Sequence, residues 1–161
     1  MTSQNHQEQK IVIVTACGSK KENSPHPAWR LYTSSRIRYL YKKSKELGYP
    51  FYILSAKYGL VHSEDILEPY DEILTEERAK DLVPQVAEVL RNFEIVVYYR
   101  GGARTMYLYL IKEASKIAGT RLVSFGYANM GDINKLEAII QELKGGDLVK
   151  RLYYIPQVSQ D

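Results

Sequence analysis

One cysteine, Cys17, stands in the whole chain, so no intrachain disulfide can form and a cysteine-rich metal site is excluded. A lone thiol suits a reducing compartment, and the expected location is the cytoplasm. Histidine is almost as scarce: His26 and His62 fall in expected loops and His6 in the N-terminal tail, too sparse a set for a metal site, so neither metal nor cofactor is expected. No apolar run approaches the roughly 20 residues that cross a bilayer. The opening MTSQNHQEQ also lacks the basic-then-apolar order of a secretory signal. A soluble protein with no membrane partner and a disordered tail over residues 1–9 is therefore expected. The formal charge of +3 is small, so nucleic-acid binding would need basic residues clustered on one surface. No linker rich in Pro, Gly or Ser and no repeat divides the chain, and residues 10–161 are expected to form a single α/β domain.

Tyrosine, by contrast, is abundant, with 14 copies against 3 phenylalanines and 1 tryptophan. A tyrosine packs its ring and still offers a hydroxyl, which suits a core edge or a base-stacking surface. For Tyr52, Tyr98 and Tyr107, which lie in strand or helix patterns, a core role is enough.

The run Ile11 to Ala16 is nearly all apolar and β-branched, the composition of a strand covered on both faces. After the loop CGSKKENSPHPAW, Ser34 or Ser35 caps a helix through Arg38 and Tyr41 to Leu47, stopped by Gly48 and Pro50, with Leu40 and Leu47 on its inner face. FYILS at 51–55 reads as a second strand, followed by AKYGLVHSEDILEPYDE, a loop long enough to be functional. Thr75 with Glu76 and Glu77 starts another helix, in which Pro84 either bends the axis or shifts the start. A third strand at 94–99, a helix stopped by Gly119, a fourth strand RLVSF and a helix from Ile133 to Leu143 ended by Gly145 and Gly146 complete the pattern. VKRLYYIP reads as an edge strand or a packed tail. Alternation of strands and helices predicts a three-layer, Rossmann-like α/β domain whose mainly parallel sheet has four to five strands.

In such sheets ligands bind beyond the carboxyl ends of the strands, and this chain delivers its polar clusters there. Strand one ends in Cys17, Gly18, Ser19, Lys20 and Lys21; strand two in Ser55, Lys57, Tyr58 and Gly59; strand three in Arg100, Gly101, Gly102 and Arg104; strand four in Gly126, Tyr127 and Asn129. Glycines after a strand, followed by a helix N-terminus, let backbone amides approach an anion, so Arg100 to Arg104 reads as a phosphate cradle or as a tight turn with solvated arginines. Its glycines have neither P-loop nor dinucleotide-fingerprint spacing. Each lysine taken singly is an ordinary surface charge. Gathered in one place, Lys20, Lys21 and Lys57 with Arg100 make a pocket for phosphate or carboxylate. Cys17 is a nucleophile if its thiol is activated and otherwise a buried structural thiol. The acidic stretch 64–71 contains Glu64, Asp65, Glu68 and Asp71, and the turn Pro69-Tyr70-Asp71 aims a carboxylate either at the pocket, as an acid/base group or to orient a cation, or at the next helix as a cap.

Four stretches, Cys17-Gly-Ser-Lys-Lys21, Leu31-Tyr-Thr-Ser-Ser35, Ser55-Ala-Lys-Tyr-Gly-Leu-Val61 and Pro69-Tyr-Asp71, together resemble an uncharacterised domain-of-unknown-function family allied to the YaaA-like proteins. The resemblance covers about Ile11 to Leu74. More distantly the chain is similar to the core of archaeosine synthase, which attaches lysine to the nitrile of a 7-deazaguanine base in transfer RNA and carries a Pro-Cys-Ser-x-x-Lys-Pro-Tyr-x-x-Ser-x-x-His signature. Cys17 and Lys21 keep the Cys-to-Lys spacing, and Tyr32 and Ser35 the Tyr-to-Ser spacing. Ala16 replaces the proline, Arg38 stands at the histidine position, and an insertion separates Lys21 from Tyr32.

The resemblance implies a nucleobase or nucleic-acid-linked substrate. The expected activity is that of an enzyme on a nucleotide or nucleic-acid base, with Lys21, Asp71 and Cys17 catalytic. Gly18, Ser19, Lys20, Tyr32, Ser35, Ser55, Lys57, Tyr58, Arg100, Gly101, Gly102 and Arg104 are expected to bind the substrate. The expected partner is a nucleotide or nucleic acid, transfer RNA included. Two alternatives stay open: a non-catalytic nucleic-acid-binding protein that uses Arg30, Arg36, Arg38, Lys42 and Lys43 with tyrosines, and an accessory subunit or homo-oligomer.

Overall fold

The computed structural model describes residues 10–126 and 130–150. The chain runs β1 (Ile11–Ala16), β2 (His26–Pro27), α1 (Ala28–Leu31), α2 (Ser35–Leu47), β3 (Phe51–Ser55), β4 (Gly59–His62), β5 (Ile66–Leu67), α3 (Glu76–Leu90), β6 (Ile95–Tyr99), α4 (Thr105–Ala118) and β7 (Arg121–Phe125), then a 3-10 turn (Met130–Lys135) and α5 (Leu136–Lys150). Five strands form one sheet in the order β4-β3-β1-β6-β7, parallel except for β4.

Every residue of β1 is buried because the central strand is covered on both sides. The pleat sorts its side chains between two cores. Ile11 and Ile13 join Ile37 and Leu40 of α2 and Leu136 and Ile140 of α5, whereas Val12 and Val14 join Leu82 of α3 and Leu110 of α4. The layers are therefore α2 and α5, the sheet, then α3 and α4. Each fully buried aliphatic side chain contributes about 1.5–3 kcal/mol relative to exposure.

The helix boundaries follow the capping signals. Ser34 Oγ accepts from Ile37 N at the start of α2, Thr75 Oγ1 accepts from Arg78 N at the start of α3, and Gly48 and Gly119 close their helices in left-handed conformations. Pro84 lies inside α3 and does not move its start.

Three expectations are corrected. The stretch after Ser55 is not one long loop, because β4 folds back antiparallel onto β3 and β5 pairs with β2 in a small ribbon. Gly59, at φ 78°, makes the reversal, and a Cβ there would collide with the side-chain amide of Gln85. That amide accepts from Leu60 N at 2.9 Å and donates to Leu60 O at 3.1 Å, satisfying the outer edge of β4 as a neighbouring strand would. The loop after β1 likewise holds β2 and α1. Finally, α5 begins at Leu136 and continues through Gly145 and Gly146, because its Leu136, Ile140 and Leu143 face is packed in the core and overrides the weak propensity of glycine. Of the expected last strand at 149–156, Val149 and Lys150 end α5 and the rest lies outside the described residues, as do the tail 1–9 and the Tyr127 and Asn129 sites.

Candidate functional site

At the carboxyl end of β1 the backbone turns through Cys17 to Lys21 and then meets itself. Lys21 and Tyr32 form an isolated antiparallel bridge, flanked by Glu22 N to Leu31 O at 2.8 Å and Thr33 N to Lys20 O at 3.0 Å. Residues 22–31 thus form a closed excursion. The chain continues from Thr33 into the first turn of α2, which faces the same strand ends.

Two adjoining clefts open there. The first, about 410 Å³, is lined by Lys20, Thr33, Ser34, Ser35, Tyr99 and Gly101; the second, about 630 Å³, by Cys17, Lys21, Asp71, Leu74, Arg104 and Tyr107, among others. Gly18, Ser19, Arg36 and Gly102 line both. Gly101 has φ 52°, and a Cβ on it would lie 2.9 Å from the Tyr99 ring and 3.3 Å from Arg36 Cδ, so this wall of the first cleft requires glycine.

Arg36 stands at the junction. Its Nη2 donates to Ala16 O at 2.9 Å, its Nε is buried without a hydrogen-bond partner, and no carboxylate among the described residues pairs with it. Burial lowers its pKa, and the phenol of Tyr98 is the first of the neighbours that oppose this. A guanidinium stays charged under such pressure, so the site carries a cation that no carboxylate pairs directly among the described residues. Lys21 donates to Ser19 O at 3.1 Å and lies 4.3 Å above the Tyr70 ring, while Arg104 donates to Leu74 O at 3.0 Å and holds the segment before α3 against the cleft.

Beneath the second cleft runs a chain of buried hydroxyls. Ser55 Oγ accepts from Lys57 N and Tyr58 N and lies 2.9 Å from Tyr70 Oη, which lies 2.7 Å from Tyr32 Oη. Cys17 Sγ lies 3.2 Å from Tyr107 Oη. Burial first, and then the Cys17 sulfur, pushes Tyr70, Tyr32 and Tyr107 well above the ordinary phenol range, so all three keep their protons and act as neutral donors.

The expected site residues divide between these places. The second cleft gathers Cys17, Gly18, Ser19, Lys21, Asp71, Gly102 and Arg104, and the first Gly18, Ser19, Lys20, Ser35, Gly101 and Gly102. Tyr32 and Ser55 lie beneath them in the hydroxyl chain. Arg100 lines a separate recess of about 240 Å³ beside Gly101 and Arg104. Lys57 and Tyr58 line neither cleft, because the β3–β4 reversal carries them to the sheet edge, where Lys57 lies over the Tyr58 ring and Tyr58 donates to Glu68 O. The expected single cluster of Lys20, Lys21, Lys57 and Arg100 is therefore corrected to Lys20, Lys21, Arg36 and Arg104.

Arg36, Thr33, Ser34 and Tyr107 were not among the expected site residues. The available signal was positional, since Ser34 and Arg36 belong to the first turn of a helix entered from a strand-end loop. The basic surface expected from Arg30, Arg36, Arg38, Lys42 and Lys43 is broken up: Arg36 turns inward, Arg38 pairs with Glu22 at 3.4 Å, and Lys43 with Glu137 at 3.2 Å. Among the described residues no group of three His, Cys, Asp or Glu gathers to hold a metal, and no helix is long and apolar enough to cross a membrane.

A mostly parallel five-stranded sheet between helical layers, with clefts at the carboxyl strand ends, defines a Rossmann-like α/β protein. The chain belongs to the family of unknown function DUF6884, whose model matches residues 11–114. No curated protein matches it. A solved structure described as "Solution structure of a phosphate-loop protein" is similar at 14% identity and a TM-score of 0.46, over 91% of this chain and 99% of that one.

Proposed function

We infer that this protein is an enzyme acting on a nucleotide or a nucleic-acid base, which it holds by an anionic group at the carboxyl ends of the strands. The observation that carries this reading is Arg36, a charged guanidinium with a buried, unpartnered Nε at the junction of two clefts and no carboxylate paired with it among the described residues. Leaving such a charge without a direct pair is costly, and an anionic ligand supplies one. Cys17 on the floor, Lys21 on the wall and Asp71 at the exposed rim are the groups that can touch a bound molecule and exchange a proton with it.

The similarity to the YaaA-like proteins and to the archaeosine synthase core gains support from the Lys21–Tyr32 bridge. Because residues 22–31 close on themselves, Lys21 and Tyr32 are neighbours in space as they nearly are in that signature, and a 7-deazaguanine base in transfer RNA is the finer form of the substrate. Non-catalytic binding through the outer face of α2 is less favoured, since Arg38 and Lys43 are occupied by carboxylates.

Thermal unfolding in the presence of nucleotides, 7-deazaguanine bases and transfer RNA tests the reading. At least one of them should raise the Tm through preferential binding to the folded chain. A folded protein whose Tm responds to none of them overturns it.

A further inference from the structure

We propose that the two clefts are halves of one site for a nucleoside monophosphate unit, with the phosphate in the first, the base in the second and Arg36 serving both; this rests on the nucleotide reading above. The first cleft has the chemistry of an anion site. Its cations are Lys20 and Arg36, Ser19, Thr33, Ser34, Ser35 and Tyr99 bring hydroxyls, and no carboxylate lines it. It also lies at the N-terminus of α2, a helix of 13 residues whose first amides point toward it.

The second cleft has a different character. Ile73, Leu74, Ala103 and Tyr107 give it apolar walls, and Ile73 is 68% exposed, an isoleucine beside a cleft with nothing over it. Asp71 would repel a phosphate there, whereas its oxygens can accept N–H groups from the edge of a heterocycle. The cations of this cleft are partly committed to its own walls, Arg104 through Leu74 O and Lys21 through Ser19 O.

Continuity makes the two halves one site. Gly18, Ser19, Arg36 and Gly102 border both clefts, so the two adjoin along a common edge for a ribose-length spacer to span. A planar guanidinium suits that position because its fork can bind phosphate oxygens while its face remains free to lie against a ring. Each cleft also falls in the usual size range of about 300–1,000 Å³ for small-molecule sites, and neither needs to open.

Calorimetric titration of the full chain with inorganic phosphate, a nucleoside and its 5′-monophosphate tests the proposal, with two variants. Ser35→Glu puts a carboxylate in the first cleft at a helix position where acids are tolerated, and Ile73→Asp changes an exposed wall of the second. The monophosphate should bind about tenfold or more tighter than either part, because one molecule then spans both halves. Ser35→Glu should abolish phosphate binding and the gain from the phosphate while leaving the nucleoside unchanged. Ile73→Asp should weaken nucleoside and monophosphate by the same factor and leave phosphate unchanged. A trinucleotide with a 5′-phosphate that binds as well as the mononucleotide assigns the unit to a nucleic-acid end, and its exclusion assigns it to free nucleotide; both uphold the bipartite site. Nucleotide binding with no gain from the phosphate, or variants that act alike on phosphate and nucleoside, overturns this proposal alone. A folded chain that binds none of the three overturns the nucleotide reading with it.

Discussion

Arg36 donates to Ala16 O across 2.9 Å, tying the first turn of α2 to the last residue of β1. One bond thus fixes the helix that lines the first cleft relative to the strand that supplies the floor of the second. The guanidinium is held by backbone alone, which leaves its charge available to a ligand.

Arg36→Met should lower the affinity for phosphate-bearing ligands about tenfold or more while leaving stability within about 1 kcal/mol of the parent, since a buried unpartnered Nε leaves together with one hydrogen bond. Titration and urea unfolding of the same sample measure both. Unchanged affinity with a large loss of stability would make Arg36 a structural residue.

Tyr70→Phe removes the hydroxyl between Ser55 and Tyr32 and leaves both short of a buried partner. A loss of about 1–3 kcal/mol in urea unfolding is expected. Tyr39→Phe, whose hydroxyl bonds to Asn134 at the surface, should cost less and serves as the comparison.

Gln85→Ala strips the outer edge of β4 of its only side-chain cover for Leu60 among the described residues. Amide exchange at Leu60 should accelerate strongly while that of the central strand β1 follows only the change in global stability. Equal acceleration at both would mean that the edge opens only with the whole fold.

At high pH the protein should lose stability. Burial, then the hydrogen bond to Glu64, pushes Tyr41 from 10.0 up to about 12, and burial also raises Tyr32, Tyr70, Tyr98 and Tyr107. Raised folded-state values mean that the folded chain holds more protons than the unfolded one above pH 10, so the stabilisation is complete below that pH and declines as pH rises through the folded values. Tyrosine absorbance should show these phenols ionising together with unfolding. Ionisation that clearly precedes unfolding would show the hydroxyl chain to be open to solvent.

The parallel strands were legible because β1, β3, β6 and β7 are short apolar runs with no competing pattern, and α2, α3 and α4 because Ser34, Thr75, Gly48 and Gly119 act locally. What was hidden depends on partners distant in sequence. Four residues of β4 become a strand by pairing back onto β3, with Gln85 covering the outer edge at Leu60, and α5 passes two glycines because its buried face is packed in the core. Part of the candidate site was legible in the same way, in that Cys17, Lys21 and Asp71 line one cleft. Lys57 left the group because a reversal at Gly59 was not visible in a five-residue strand ending, and Arg36 entered it because nothing in an amphipathic helix pattern distinguishes an arginine that turns toward a strand end from one that faces water.

The bridge between Lys21 and Tyr32 separates two jobs along the chain. The segment strung between them is itself anchored further along, where β2 pairs with β5 and Ala28 and Leu31 enter the core, and its first turn, residues 23–25, stands exposed. That exposed turn can therefore grow, shrink or change its composition without displacing Lys21 or the start of α2. It is the place where a new contact to a larger molecule can be grafted while the clefts behind it keep their walls.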